Sequence, residues 1–358
     1  MFVILVTYTA YLHQVLGGAK APSIHALCPF GGLESLYQVF TTGSFISKIY
    51  AGTMFLFVLT LIVAILFRRS FCGLICPFGA IQEFIAKLGQ KIFKQRKVMP
   101  ATFDKPLRYL KYVVLVVTVV YAWKTAGLWM APYDPWSVYG HLSEGLESVW
   151  NTSHIGFILL CITVLGSLIY DRFFCKYLCP MGAMYAIIGK LSPFKIVRNE
   201  SICVNCGICN KNCPMNIDVQ HNLKISSAEC INCQTCILNC PKSGALNSYE
   251  GQKMMKPLTV IILLIIMFFG SIFAAQAAGV YTLTPGTLKT GEFIKYDEIK
   301  GFMSIKEAAK SSNTDLKEFY EKFRIPANVP AETKMKEIST VSPGYDFDNV
   351  KESLKNLP

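Results

Sequence analysis

Residues 203–241 read CVNCGICNKNCPMNIDVQHNLKISSAECINCQTCILNCP. Cys203, Cys206, Cys209 and Cys213, followed by Pro214, recur as Cys230, Cys233, Cys236 and Cys240, followed by Pro241. Each copy is C-x2-C-x2-C-x3-C-P. A [4Fe–4S] cube needs four thiolates arriving from different directions. Three close cysteines wrap one cube, and the fourth, after a longer gap, reaches the other. The expected ligand sets are therefore Cys203, Cys206, Cys209 and Cys240 for one cube, and Cys230, Cys233, Cys236 and Cys213 for the other. Pro214 and Pro241 lack a backbone N–H and stop a helix from running on. Asn205, Gly207, Asn232 and Gln234 are small or polar and leave backbone N–H groups free for cluster sulfur. A zinc site takes four ligands, commonly as two C-x2-C pairs, and has no need of the doubled run.

This is the ligand run of a two-cluster bacterial ferredoxin, set in a chain that is otherwise mostly membrane. Of the 358 residues, 52% are hydrophobic and only 16% charged. Apolar runs at about 1–16, 49–67, 112–130, 154–170 and 257–275 predict five spans, a bilayer crossing taking roughly 20 apolar residues. The first run lacks the charged leader of a cleaved signal peptide and reads as a retained span. The expected fold class is mainly α. A polytopic α-helical membrane bundle occupies 1–198, an inserted α+β ferredoxin module 199–248, a fifth span 257–275 and a small helical domain 280–358.

Lys and Arg set the orientation. Loop 68–111 holds ten basic and two acidic residues, and 171–256 holds ten and five. Loop 126–152 has no Lys or Arg but carries Asp134, Glu144 and Glu147. The ferredoxin module is thus expected on the cytoplasmic side of the inner membrane, with 126–152 and the C-terminal domain exported. The net charge of +12 suits anionic lipid headgroups. No recognisable nucleic-acid-binding fold accompanies it, so nucleic acid is excluded as a partner.

A second cysteine pattern is an internal repeat. RSFCGLICPFGAIQEFIAKL at 69–88 matches RFFCKYLCPMGAMYAIIGKL at 172–191, pairing Arg69 with Arg172, Cys72 with Cys175, Cys76 with Cys179, Pro77 with Pro180 and Gly79 with Gly182. Each copy follows an apolar run and leads into an amphipathic stretch expected in the interface. Such matching marks two related halves of one bundle. Spacing of four puts Cys72 with Cys76, and Cys175 with Cys179, on one helical face. Two facing pairs supply four thiolates, enough for a third iron–sulfur centre or a zinc, with soft sulfur favouring the former. The competing reading is a helix stop with inert thiols.

A partial echo, CPFGGLESL at 28–36, has the single Cys28, a weaker ligand candidate expected on the outer side. Cys161 sits mid-span and reads as a packing residue. His13, His25, His141 and His154 map to outer loops or span ends, suiting either a quinone or simple avoidance of hydrocarbon. In the tail, Ser304 and Thr314 are the expected N-caps of two short helices.

C-x3-C-P motifs after two spans, followed by the doubled ferredoxin run, resemble the NapH/NosR-type membrane polyferredoxins over residues 25–245. The resemblance implies Cys72, Cys76, Cys175 and Cys179 as membrane-motif residues and the eight ferredoxin cysteines as cluster ligands. It also implies an iron–sulfur protein of anaerobic respiration that relays electrons between the ferredoxin module and a quinone pool, or a membrane or exported redox partner, as an electron-transfer subunit of an oxidoreductase. This chain lacks an exported flavin domain and adds a fifth span and a tail. Two other readings use the same residues: a copper reductase or metallocofactor-assembly factor, and a redox sensor reporting through the tail.

Overall fold

The computed structural model describes residues 2–16, 21–43, 50–282 and most of 296–354, apart from single positions such as Ser23, Ala26 and Ala126. The described residues fall into two compact units, the first ending near residue 284 and the second holding the C-terminal residues.

The first unit opens with α1 (Phe2–Leu16), α2 (Phe30–Thr42) and α3 (Ala51–Phe67). A π-helical turn at Phe71–Ile75 leads to α4 (Pro77–Phe93) and α5 (Ala101–Thr125). The short α6 (Pro135–His141) precedes α7 (Leu146–Ile169), α8 (Phe173–Tyr177) and α9 (Pro180–Ile188). Then come β1 (Phe194–Arg198), α10 (Ile208–Lys211), β2 (Lys224–Ile225), α11 (Thr235–Leu238), β3 (Leu246–Glu250), β4 (Lys253–Met255) and α12 (Pro257–Ala277). The strands form one antiparallel sheet in the order β2-β1-β3-β4, with Ile196 opposite both Ile225 and Ser248.

Among the described residues α5, α7 and α12 are long and apolar enough to cross a membrane, while the apolar helices at 3–16 and 51–67 are shorter. The protein is thus a mainly α membrane protein with a small sheet. Helix α5 starts at Ala101, well before its apolar run, because Asp104, Arg108 and Lys111 share one face and meet partners there. Helix α7 likewise starts early, its polar first turns meeting the apolar run at a kink where Ser153 leaves helical geometry. Helix α3 lies at the centre of the main core. Its Leu56, Phe57, Val63 and Phe67 pack with Tyr185 of α9, Phe194 of β1 and Val260, Leu264 and Phe268 of α12.

The second unit holds α13 (Ile305–Ser311), α14 (Leu316–Lys322) and α15 (Ile338–Val341). Ser304 caps α13 through a reciprocal box with Glu307. The cap of α14 is Asp315 rather than Thr314. The Asp315 carboxylate accepts from Lys317 N at 2.9 Å, whereas the Thr314 hydroxyl is engaged by Tyr296 at 2.9 Å. Ile305, Ala308 and the stacked rings of Phe319 and Phe323, 4.4 Å apart, form the core of this unit.

Candidate iron–sulfur site

Each ferredoxin loop turns back on itself through left-handed residues at matching places, Asn205 and Gly207 in the first and Asn232 and Gln234 in the second. That curvature brings the cysteines round two cavities. Cys203, Cys206, Cys209 and Cys240 line one; Cys213, Cys230, Cys233 and Cys236 line the other. Among the described residues no three His, Cys, Asp or Glu side chains converge on a point where a single metal ion would sit. Four thiols spread round a cavity suit the faces of a cube better than one ion. The environments differ. The Asn205 N–H and Arg198 hold the Cys203 thiol below its usual value. Burial pushes Cys230 up to about 11 and also raises Cys213 and Cys236. The second cavity is the inner one.

The membrane motifs depart from the one-face helix expected for them. Cys72 lies in the π-helical turn, a wider ring than the α-helix, and Cys76 sits beyond it with ψ 117° as the residue before α4. Cys175 lies in α8, and Cys179 occupies the matching extended position (ψ 112°) before α9. In both copies proline takes the first helical position, where its missing N–H costs nothing, so C-P starts a helix instead of only ending one. The two copies come together. Cys72, Cys76, Cys175 and Cys179 lie within electrostatic reach of one another, and burial, with their mutual repulsion, pushes Cys76 and Cys179 well up. Gln82 Nε2 donates to Cys175 Sγ at 3.1 Å, and Gly182 N to Cys179 Sγ at 3.3 Å. Burial also raises Cys72, and four thiols gathered in this way are a donor set suited to a cationic metal centre, which favours the thiolate form. The amphipathic-interface expectation fails for α9. Its Ala183, Met184, Tyr185 and Ala186 are all buried, since the helix is wedged between α3 and α5. Helix α4 does keep Phe84, Leu88 and Ile92 exposed.

Two arginines, unread at the level of single residues, cross between the repeats. Arg172 Nη1 donates to the Cys72 carbonyl at 2.6 Å and lies 2.8 Å from where a Cβ on Gly79 would stand. Arg69 Nη2 lies 2.8 Å from the equivalent position on Gly182. The glycine of each motif leaves room for the arginine of the other. The signal was available, since both pairs align in the repeat.

The ferredoxin module is fixed to the bundle by buried charge. Glu229, next to Cys230, receives Lys111 at 2.5 Å and Arg69 at 3.1 Å. Arg68 donates to the carbonyls of Ile225, Ser226 and Ser227. Arg96 binds Asp171, the carbonyls of Lys211 and Cys213, and Asn216. Asn232 reaches Phe67 O and Ser70 Oγ at 3.0 and 2.8 Å. Cys213, Met215 and Ile231 of the module pack against Cys72.

The remaining candidates stand apart. Cys28 joins none of these groups and is partly buried; burial and Asp134 push its thiol up to about 12. Cys161 is exposed on a face of α7 with Ile158, Ile162 and Leu165. It is therefore not a packing residue, because that face has no protein against it and suits lipid. His25 and His141 lie 5.9 Å apart, and both bond to Ser137.

The described "4Fe-4S binding domain" family matches twice, at 51–96 and 152–199, each match spanning one copy of the repeat, and a "4Fe-4S dicluster domain" matches 202–246. The protein MJ0750 of Methanocaldococcus jannaschii, which has no assigned function, is 31% identical over 55% of this chain and 76% of its own length. The "Ferredoxin-type protein NapH" of Haemophilus influenzae is 28% identical over 44% of this chain and 51% of its own. The chain is a membrane polyferredoxin of the NapH/NosR type. Escherichia coli YccM, named for electron transport, is 31% identical to this polyferredoxin over 59% of each chain. The polyferredoxin thus spans well under two thirds of YccM and NapH. No solved structure matches it.

Proposed function

We propose that this polyferredoxin carries electrons between the ferredoxin module and a quinone pool, or a membrane or exported redox partner. Two [4Fe–4S] clusters would be held by Cys203, Cys206, Cys209 and Cys240, and by Cys213, Cys230, Cys233 and Cys236. A third centre would be held by Cys72, Cys76, Cys175 and Cys179. The ferredoxin side faces the cytoplasm and the C-terminal unit is exported, on the Lys/Arg asymmetry of the loops.

One observation carries the reading. Cys213 and Ile231, both lining the inner cavity, belong to a cluster that packs on Cys72, so the module abuts the membrane motif with no intervening layer. Electron-transfer function is also what the names of YccM and NapH suggest. The clusters, when bound, supply one-electron carriers; the chain supplies thiolates, backbone N–H donors and a dry contact between sites.

The test is anaerobic purification with iron and sulfide counting and an EPR-monitored redox titration. About twelve irons are expected, and about eight would leave only the ferredoxin pair. Changing Cys72 and Cys175 together to Ser is expected to remove one EPR centre and leave the other two. Intact spectra in that variant would sink the third centre.

A further inference from the structure

We propose that Arg69 and Arg172 are the charge-balancing pair of the centre at Cys72, Cys76, Cys175 and Cys179, and that they set its potential above that of the ferredoxin cluster beside it. The inference rests on the reading that those four cysteines hold an iron–sulfur centre.

Both arginines are 1% exposed. A buried charge is unfavourable unless paired and hydrogen-bonded, and the pairing here is incomplete. Arg69 donates through Nη1 to Glu229 and to Ala228 O, while its Nε and Nη2 have no oxygen or nitrogen acceptor among the described residues and the guanidinium lies toward the Cys72 thiol. Glu229 is shared with Lys111 and approached by Arg108, so it does not neutralise Arg69 alone. Arg172 donates to Cys72 O and Glu83, and its Nε has no acceptor. Glu83 is itself one-third exposed, which weakens its hold. Unsatisfied N–H groups and surplus positive charge therefore stand beside the four thiols. The glycines at 79 and 182 keep that space open, since a Cβ at either would meet a guanidinium nitrogen at 2.8 Å.

The missing partner is an anion. Four thiolates round a [4Fe–4S] core leave a net negative charge that grows by one on reduction. Donors to sulfur and nearby cations favour the more negative, reduced form and raise the potential. The ferredoxin cavity next to it has Ile196, Val219 and Ile225 in its wall, and the cations beside it, Arg68 near Cys230 and Arg96 near Cys213, spend their N–H groups on backbone carbonyls, Asp171 and Asn216 instead of leaving them unsatisfied. With clusters bound, one electron would pass from the one held by Cys213, Cys230, Cys233 and Cys236, which would be oxidised, to the membrane centre, which would be reduced. No bond is made or broken and no proton moves. A low-potential one-electron reductant refills the ferredoxin side.

The experiment compares the full-length protein with R69Q, R172Q, R69K and R172K, all purified anaerobically, by iron content and EPR titration. In each Gln variant the membrane centre is expected to keep its iron. At fixed potential its reduced-to-oxidised ratio should fall at least tenfold, about 59 mV for one electron. The Lys variants should stay nearer wild type. Gln variants with iron retained and an unmoved potential overturn the proposal while leaving the third centre standing. A wild-type count of about eight irons removes the third centre itself, and this proposal with it. If Gln variants lose the centre, the Lys variants decide: retention with near-native potential upholds the charge role, and loss in both makes the arginines structural and overturns it.

Discussion

Glu34 shows how much one buried carboxyl does in this bundle. It lies on α2, nearly sealed from solvent, with Met130 N donating to it at 3.4 Å. Burial, with a contribution from the Asp134 charge, pushes its pKa up to about 8. The folded protein therefore holds this proton between about pH 4.5 and pH 8, where an unfolded chain has released it. Stability from this group is fully present below the lower value and is lost as pH rises through 8. Glu34→Gln is expected to raise thermal stability at pH 8 by a few kcal/mol, at roughly 1.4 per pKa unit, and to change little at pH 5. Melting curves at the two pH values check it, and equal effects at both would sink the assignment. At this scale the cysteines were legible, because ligand spacing is local. Arg69 and Arg172 were visible as matches but not as a pair, since only the fold crosses each onto the other repeat. Glu229 was not legible at all. Its partners Lys111 and Arg69 come from elements far away in sequence.

Among the elements, the π-helical turn at Phe71–Ile75 is where local reading went astray. Four-residue spacing on an α-helix would have stacked Cys72 over Cys76; the wider turn and the break before Pro77 splay them instead. Nothing in periodicity distinguishes a π turn from an α turn, because it is stabilised by what packs on it. Here that is the ferredoxin loop. A Cβ on Gly73 would stand 2.3 Å from Ile231 O and 3.2 Å from Cys233 N. Gly73→Val is thus expected to weaken the contact by about 1–3 kcal/mol, the range for overpacking. Trypsin should cut within 199–256 more readily than in wild type, and unchanged protection would contradict the contact. Helix existence was well legible from the apolar runs. Helix starts were less so: α5 and α7 extend into polar sequence that is held by partners on other elements.

For the molecule as a whole, the basic loop 68–111 has a second use. Its charges were read as an orientation signal, yet Arg68, Arg69, Arg96, Arg108 and Lys111 all bind the ferredoxin module. The same residues that bias topology also clamp the inserted domain. Glu229→Ala would leave Arg69 and Lys111 buried without their carboxylate. Breaking a buried pair from one side costs about 3–5 kcal/mol. The variant is expected to lower the melting temperature and to loosen the module, read as faster amide hydrogen exchange at Ile225–Cys230 with α12 unchanged. Unaltered exchange there would show that the clamp rests on the other arginines.

The seating of Ile231 against Gly73 carries one more consequence. Many soluble ferredoxins shuttle, and their turnover slows in syrupy solvents because each electron waits for a collision. Here the inner loop is already seated on its neighbour, so in the proposed relay passage between them would be a solid-state step. Adding glycerol or sucrose should retard only the arrival of an external donor and leave the internal hop untouched.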